Sequence, residues 1–305
     1  MLVLSAQDVE RLLDPDGLVD ALAAAMRDAS EGRASVPPRV AARIAERDGM
    51  LLAMPAYLPS ANVLAAKLVT QFPHNTEAST HQALVCCFDP EDGTPLAVMD
   101  GEYLTAARTA AGSVLAARYL ARADARTVAI IGSGTQARSH AAAFARRPGI
   151  ETVLVAARDR AKANTIDNAT VVDDIKDAVR QADIVCLTTH ADRPVIDRSW
   201  LRSDAHVSSV GYNTAGTGEV DAATVAAALV VVETRASALA AAPSGAVELA
   251  GLDPEQVVEI GEIVADPAVE RGAHERLTLY KSVGVGVQDA AAAALVLNAA
   301  RRSSE

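Results

Sequence analysis

Cysteine is scarce in this chain of 305 residues, with only Cys86, Cys87 and Cys186. An odd number without metal-ligand spacing argues against both a disulfide framework and a zinc site. Cys86 and Cys87 are adjacent in an apolar run, where buried thiols are expected. The six histidines are widely separated along the sequence, so we also predict no metal ion. A reducing compartment suits such a chain.

Positively charged residues are also few compared with negatively charged ones. The chain has 28 Lys and Arg against 39 Asp and Glu, a formal net charge of −11. Without a basic patch, an acidic surface repels phosphate backbones and anionic membranes, so we predict no nucleic-acid or membrane partner. Charges or glycines interrupt the longer apolar runs, and the N-terminal MLVLSAQDVERLL lacks a basic start. We therefore expect no membrane span, no signal peptide and a cytoplasmic location.

Aromatic residues are few, at 3%, whereas apolar residues make up half of the chain and are arranged in two different patterns. Residues 5–30 predict two helices. Short apolar runs separated by turn residues predict a meandering, mostly antiparallel sheet over 36–100, with DPEDGTP as a hairpin turn. An Ala-, Leu- and Arg-rich stretch predicts one long helix over 105–123 that leaves the first domain.

The second pattern consists of buried strands that alternate with helices. Such alternation is typical of a parallel sheet covered on both faces. An Ala-rich amphipathic helix at 286–301 follows. The alternating strands are predicted at 127–131, 152–156, 170–172, 183–188, 206–210 and 229–233, and the helices at 135–146, near 159–168, at 173–181 and at 220–227.

The segment TVAIIGSGTQARSH, residues 127–140, contains a glycine turn between a buried strand and a helix. Gly132 allows a tight turn, Gly134 allows a pyrophosphate to approach the backbone, and Ala137 allows the helix to pack close to the strand. The diphosphate would bind to the N–H groups at the start of the helix. An ordinary strand–helix turn is the alternative, but the flanking pattern favours dinucleotide binding.

The residues that follow the predicted strand 152–156 indicate the type of cofactor. NAD-binding sites usually place a carboxylate there for the ribose hydroxyls, whereas an Arg suits a 2′-phosphate. TVLVAARDR places Arg158 at this end, which favours NADP(H). Asp159 follows immediately and keeps NAD(H) possible, and a solvated surface charge is the alternative role for Arg158.

Three cations in the first domain are candidates for binding an anionic substrate. Lys67 lies in the apolar run VLAAKLVTQF, where a charge is unfavourable unless it is paired or its pKa falls. Arg39 and Arg108 come from separate segments and have the planar fork that binds carboxylates. Each residue alone also fits a solvent-reaching side chain, and spacing does not establish that the three converge.

Together, AAKLVTQF, STHQALVCCFDPEDGTPLAVMDGEYLTAARTAA, IIGSGTQARSH, SSVGY and LYKSVGVGVQDAAAA resemble the ornithine cyclodeaminase/mu-crystallin family. The resemblance runs from about Pro37 to the C-terminal helix. It implies an α/β protein that forms homodimers, with a Rossmann NAD(P)-binding domain over 113–285. It also implies an α+β substrate-binding and dimerisation domain over 1–112, completed by 286–305.

The resemblance also assigns roles to individual residues. Arg39, Lys67 and Arg108 match the residues that bind the substrate's α-carboxylate and reacting nitrogen. The positions expected to contact the cofactor are Thr80, Arg108, Gly132, Gly134, Thr135, Gln136, Arg158, Thr189, Val210, Gly211 and Ser282.

One motif departs from the family pattern. Cyclodeaminases and related alanine dehydrogenases carry a proton-transferring Asp where GYNTAGTGEVD has Asn213, and cyclodeaminases carry a Lys where it has Thr217. An amide can polarise an imine or hold a water molecule, but it cannot accept a proton at neutral pH. We therefore include Asn213 among the candidate catalytic residues in a polarising role. Glu219 and Asp221 are expected to cap the next helix.

Three functions are consistent with these residues. The first is an NAD(P)H-dependent oxidoreductase that reduces a small, cyclic α-imino acid or interconverts an amino acid and its oxo acid. The second is an ornithine cyclodeaminase that uses bound NAD to form proline and ammonia. The third is a binding protein for a small ligand, of the mu-crystallin type.

Overall fold

The computed structural model describes residues 1–211, 218–241, 244–269, 272 and 275–303. The chain forms two compact units. Unit 1 contains Met1–Arg108 and Gly284–Glu305, and unit 2 contains Thr109–Val283. The chain therefore leaves unit 1, forms all of unit 2, and returns to unit 1 with its last helix.

Unit 1 is built on a mixed sheet, which among the described residues has six strands in the order β1-β6-β5-β4-β3-β2. Strands β2 to β6 pair antiparallel, as the alternating runs predicted, whereas β1 pairs parallel with β6. Backbone bonds between Asp89 and both Gly93 and Thr94 close the predicted hairpin. The strands are β1 (Leu2–Leu4), β2 (Val40–Ile44), β3 (Gly49–Leu58), β4 (Val63–Gln71), β5 (His81–Phe88) and β6 (Pro95–Asp100).

One face of this sheet is covered by α10 (Gly286–Arg302), which lies against β3, β4 and β5 and packs on its other side against α2 (Pro15–Ser30). The preceding helix, α1 (Ala6–Leu12), begins with a capping box between Ser5 and Asp8. The opposite face, here called the outer face, carries exposed apolar side chains at alternate positions. Cross-strand register places them together, with Leu68 paired to both Ala53 and Leu84. The outer face is formed by Val40, Leu51, Leu64, Leu68 and Leu84.

The long helix α3 (Glu102–Leu120) begins three residues before the predicted start and ends three before the predicted end. It starts earlier because the carboxylate of Asp100 accepts the N–H groups of Glu102 and Tyr103, both at 3.1 Å.

Unit 2 contains a wholly parallel sheet with helices in the connections, a Rossmann fold. Among the described residues its eight strands follow the order β13-β12-β14-β11-β10-β7-β8-β9. The order reverses between β7 and β10, and ligands of such sheets bind at the carboxyl ends beside that point. The strands are β7 (Thr127–Ile131), β8 (Thr152–Ala156), β9 (Thr170–Val171), β10 (Ile184–Leu187), β11 (His206–Ser209), β12 (Leu229–Val232), β13 (Val257–Glu259) and β14 (Thr278–Lys281).

The connecting helices of unit 2 are mostly short. The expected helix near 159–168 is a single turn, α5 (Arg160–Ala163), because Thr165 bonds back to the Lys162 carbonyl and Asn168 has a left-handed φ of 59°. The predicted fold class, a Rossmann domain with a second α+β domain, is confirmed. The remaining helices are α4 (Thr135–Ala145), α6 (Ile175–Gln181), α7 (Ala222–Ala227), α8 (Arg235–Ala238) and α9 (Ile260–Ala265).

Candidate active site

The glycine turn of unit 2 lies between β7 and α4. Gly132 has a φ of +136°, and a Cβ there would lie 2.5 Å from Thr188 Oγ1, so only glycine fits. Gly134 is the N-cap of α4, makes no side-chain cap, and has open space where its Cβ would be. The first turn of α4 has no acidic residue. Helix N–H groups next to open space fit the diphosphate of a dinucleotide.

Two further predicted contacts begin α4. Thr135 is exposed and Gln136 is half-buried. The side-chain oxygen Oε1 of Gln136 is buried, and no described residue donates a hydrogen bond to it. A buried acceptor beside the glycine turn is suited to a ligand's hydroxyl or amide donor.

The end of β8 presents a cation to solvent. Arg158 is exposed. The neighbouring carboxylate of Asp159 is engaged as the N-cap of α5, where it accepts the N–H of Lys162 at 3.0 Å. Arg158 is therefore the better placed of the two to meet a ribose substituent.

The buried carboxylate of Glu219, which the sequence predicts as a helix cap, instead binds the chain segments that follow β10 and β11. Glu219 Oε1 accepts the N–H and the hydroxyl of Thr189, both at 2.6 Å. Its Oε2 accepts the Ser209 hydroxyl at 2.9 Å and the Gly211 N–H at 2.7 Å. Asp221, by contrast, does cap α7. The expectation for Glu219 was wrong because its partners are distant in sequence.

Two more buried carboxylates, those of Glu248 and Glu233, support these loops. Lys281 Nζ lies 3.0 Å from Glu248 Oε1, the Ser209 hydroxyl and the Gly211 carbonyl oxygen. The hydroxyl of Ser282 donates to Glu233 at 2.5 Å. Three of the predicted cofactor contacts, Thr189, Gly211 and Ser282, are thus held by carboxylates that sequence reasoning missed.

In unit 1, two of the three predicted cations bind one carboxylate. Lys67, on β4, is 3% exposed, Arg108 is 5% exposed, and Asp289, in the first turn of α10, is 1% exposed. Asp289 Oδ1 accepts hydrogen bonds from Lys67 Nζ and from Arg108 Nε, both at 3.0 Å. Arg108 also donates to the Gln288 side-chain oxygen at 3.1 Å.

The third cation reaches the same segment of chain. Arg39 Nη2 donates to the Gly284 carbonyl oxygen at 2.7 Å. Gly284 has a φ of +76°, and a Cβ there would lie 3.0 Å from both terminal nitrogens of Arg108. The structure therefore brings Arg39, Lys67 and Arg108 to the start of α10, although they come from separate parts of the sequence.

The electrostatics of this cluster favour an anion. Burial, then the positive charge of Arg108 and that of Arg39, lower the pKa of Lys67 to about 8, although Asp289 opposes the shift. Burial alone would raise the pKa of Asp289, but the charges of Arg108 and Lys67 outweigh it and hold that pKa below its usual range. When Lys67 is protonated, Lys67 and Arg108 carry two positive charges against the one negative charge of Asp289, an excess of positive charge. A substrate carboxylate would offset that excess.

The remaining predicted residues lie at strand ends or outside the described ranges. Thr80 is exposed just before β5, with Oγ1 3.1 Å from His81 Nδ1. Val210 is half-buried just after β11. Asn213 and Thr217 lie outside the described residues.

Across the described ranges, no three His, Cys, Asp or Glu side chains are grouped so that they could hold a metal ion. None of the described helices combines the length and apolar composition that crossing a bilayer demands.

These features define the class of protein: a Rossmann unit with a dinucleotide-type glycine turn, joined to a unit with a buried cationic cluster. The sequence profile of the ornithine cyclodeaminase/mu-crystallin family matches residues 1–304. The chain belongs to this family, which confirms the resemblance of its motifs.

Individual relatives match the chain over almost its whole length. Ketimine reductase mu-crystallin of Mus musculus is 34% identical, over 96% of this chain and 95% of its own. The structure of Thermococcus litoralis Δ1-pyrroline-2-carboxylate reductase in complex with NADH and L-proline is 31% identical, covers 100% of this chain and 98% of its own, and has a TM-score of 0.91. An archaeal alanine dehydrogenase dimer with bound NAD is 30% identical, covers 100% and 97%, and has a TM-score of 0.89.

Proposed function

We propose that this protein is a nicotinamide-dependent reductase of small α-imino acids, with cyclic imino acids as its preferred substrates. The observation that carries the proposal is the buried cluster of Arg39, Lys67 and Arg108 around Asp289. An α-imino acid combines a carboxylate with a basic nitrogen two bonds away. Such a molecule needs both an excess of positive charge and a nearby proton donor, and the cluster supplies both.

Each residue of the cluster has a distinct role. Arg39 and Arg108 bind the substrate carboxylate and orient the C=N bond. The ammonium of Lys67 donates a proton to the nitrogen as the C=N π-bond breaks and an N–H bond forms. When bound, a reduced nicotinamide would supply the hydride for the new C–H bond. The neutral amine of Lys67 then takes a proton from water. Overall, one imine, one hydride and one proton give one amine.

The cofactor-binding residues of the proposal lie in unit 2, just before β5 and on α3. Gly132, Gly134 and Thr135 receive the diphosphate, and Arg158 favours NADP(H) over NAD(H) because the carboxylate of Asp159 is occupied in capping α5. The other proposed contacts are Thr80, Arg108, Gln136, Thr189, Val210, Gly211 and Ser282. Asn213 is proposed to polarise the imine.

The proposal includes a homodimer that forms through the outer face of the unit 1 sheet. Leu68 is 36% exposed and its cross-strand neighbour Leu84 is 49% exposed. A patch of apolar side chains on paired strands is typical of an interface between subunits. The dimeric state of the archaeal alanine dehydrogenase supports this assignment.

The test is a substrate panel assayed with NADPH and with NADH, following the absorbance of the reduced nicotinamide. Δ1-Pyrroline-2-carboxylate and Δ1-piperideine-2-carboxylate are expected to be reduced faster than pyruvate with ammonia. Lys67→Gln is expected to lose most of the turnover, and Lys162→Gln, at an exposed lysine, is the control.

Two results of the panel would contradict the proposal. Conversion of ornithine to proline and ammonia without net oxidation of NADPH would identify a cyclodeaminase. Thermal stabilisation by NADPH without turnover of any imino acid would identify a binding protein.

A further inference from the structure

Asp289 is a buried carboxylate that contacts two cations of the cluster, Lys67 and Arg108, and the proposed reaction assigns it no step. Its Oδ1 accepts from both Lys67 Nζ and Arg108 Nε. Its Oδ2 lies 3.0 Å from Lys67 Nζ but accepts no hydrogen bond from any described residue. Only Oδ1 of the carboxylate is therefore hydrogen-bonded by described residues, although the ammonium of Lys67 lies equally close to both oxygens.

Lys67 has one anionic neighbour against two cationic ones. Burial disfavours a positive charge on Lys67, and the charges of Arg108 and Arg39 disfavour it further. Asp289 acts in favour of that charge. Replacing the carboxylate by a neutral group of the same shape would leave Lys67 buried among like charges, a situation in which lysines lose their proton.

The same carboxylate orients Arg108. The guanidinium donates through Nε to Asp289 and through Nη1 to Gln288, whose side-chain oxygen also accepts the N–H of Val285 at 3.1 Å. Both acceptors lie in the first turn of α10. The start of this helix thus sets the direction in which the guanidinium presents its remaining donors.

We propose that Asp289 is the positioning residue of the site: it keeps Lys67 protonated and aligned as the proton donor, and it orients Arg108 toward the substrate carboxylate. This inference rests on the proposed imine reduction. Asp289 itself remains ionised throughout, so it neither gives nor takes a proton. Lys67 loses its proton to the substrate nitrogen and regains one from water while hydrogen-bonded to the same carboxylate.

The decisive measurement is the pKa of Lys67, which can be read directly because the chain has only four lysines, Lys67, Lys162, Lys176 and Lys281. Protein labelled with ¹³C at lysine Cε gives one NMR signal per lysine, and the signal absent from Lys67→Gln identifies Lys67. In Asp289→Asn we expect the pKa of Lys67 to fall by about one unit or more. The kcat for imine reduction should fall about fivefold or more at pH 8, because a smaller fraction of Lys67 is protonated there, and much less at pH 6.

The control is Asp28→Asn. Asp28 is a buried carboxylate of unit 1 that binds Arg33 and the Ser60 N–H. Its replacement is expected to lower stability but to leave the Lys67 pKa and the pH profile of kcat unchanged. A purely structural Asp289 would behave in the same way, so an unchanged Lys67 pKa in Asp289→Asn overturns the inference.

A second variant covers the case in which Asp289→Asn does not fold. Asp289→Glu keeps the charge but displaces it by one methylene group. We expect its Lys67 pKa to stay close to that of the parent while kcat falls, and a drop of a whole unit would count against the inference. If the parent protein reduces no imino acid, the proposed function fails, but the NMR titration still decides whether Asp289 controls the charge of Lys67.

Discussion

At the residue scale, Gly284 touches both arginines of the cluster. Its carbonyl oxygen accepts from Arg39, and the space where its Cβ would be is bounded by the guanidinium of Arg108. Its left-handed φ is a second reason why glycine is favoured at this position, because other residues are strained in that conformation. A single residue without a side chain thus allows two long cationic side chains to approach the same point.

We therefore expect Gly284→Ala to raise the KM for the imino acid several-fold, because the new methyl group displaces Arg108. The strained backbone should also lower the free energy of unfolding by about 1–3 kcal/mol. Gly93→Ala is a matched control, because Gly93 has a φ of +78° and open space at its Cβ. Steady-state kinetics and urea unfolding would separate the two effects, and an equal KM in both variants would exclude a role for Gly284 in placing Arg108.

Arg158 offers a second prediction at this scale. Arg158→Ala should weaken NADPH binding roughly tenfold to a hundredfold, because a charge-assisted hydrogen bond is lost, and should change NADH binding little. Arg160→Ala, which removes a neighbouring exposed arginine paired with Asp173, is the control. Fluorescence titration with each cofactor measures both constants, and equal losses for the two cofactors would contradict the NADP(H) assignment.

At the scale of elements, the carboxyl ends of β10 and β11 are joined by a side chain rather than by backbone pairing alone. Glu219 accepts four donors, from Thr189, Ser209 and Gly211. Gly211 permits this arrangement, since a Cβ there would lie 2.2 Å from the Glu219 side chain. Two loops proposed to contact the cofactor are thereby fixed to one buried group.

Glu219→Gln is expected to disrupt both loops, because the amide nitrogen would face two donors instead of accepting from them. Dinucleotide affinity should fall, and the free energy of unfolding should fall by about 1–3 kcal/mol. Asp221→Asn weakens the cap of α7 in the same part of the chain and is the control, with an expected loss of stability only. Calorimetric titration with NADPH would test the distinction, and unchanged affinity in Glu219→Gln would refute it.

The sequence predicted some elements better than others, for physical reasons. Hydrophobic period and the glycine turn are local signals, and they located β7, α4 and the antiparallel meander. The strands β1 and β13 have three residues each and depend on pairing with distant strands. Three residues are too few to show an alternating hydrophobic pattern, so the sequence did not predict these strands. Asp289 was missed because its bond to Lys67 spans 222 positions, and an Asp in the first turn of a helix ordinarily indicates only a favourable helix dipole.

At the scale of the whole molecule, the apolar outer face is the feature that the single chain leaves exposed. Leu68→Glu would place a charge at its centre and should convert the proposed dimer to a monomer. Val269→Glu, at an apolar residue of unit 2 that is 49% exposed, is the control. Light scattering during size-exclusion chromatography would report the mass of each variant, and a parent protein that is monomeric would contradict the proposed dimer.

Two buried histidines make the stability of the molecule sensitive to acid. Burial lowers the pKa of His140 to about 4 and that of His206 to about 3, from 6.5 in the unfolded chain. Because the unfolded state binds more protons between these values, stability is lost as the pH falls below about 6.5 and is retained above it.

For His140 alone, the loss between pH 7.5 and pH 5 should amount to about 2 kcal/mol. Urea unfolding at the two pH values measures it. His140→Gln is expected to show a smaller difference between them than the parent, whereas His190→Gln, at an exposed histidine, should match the parent. Identical pH dependence in all three proteins would count against a neutral, buried His140.

The division of unit 1 between the two ends of the chain has a consequence for biosynthesis. The ribosome delivers Lys67 and Arg108 early, then the whole of unit 2, and only afterwards α10 with Asp289. Until that helix emerges, Lys67 and Arg108 lack the carboxylate of Asp289, whereas all the described strands of unit 2 have already been synthesised. Translation order thus allows unit 2 to complete its sheet before unit 1 receives its last helix.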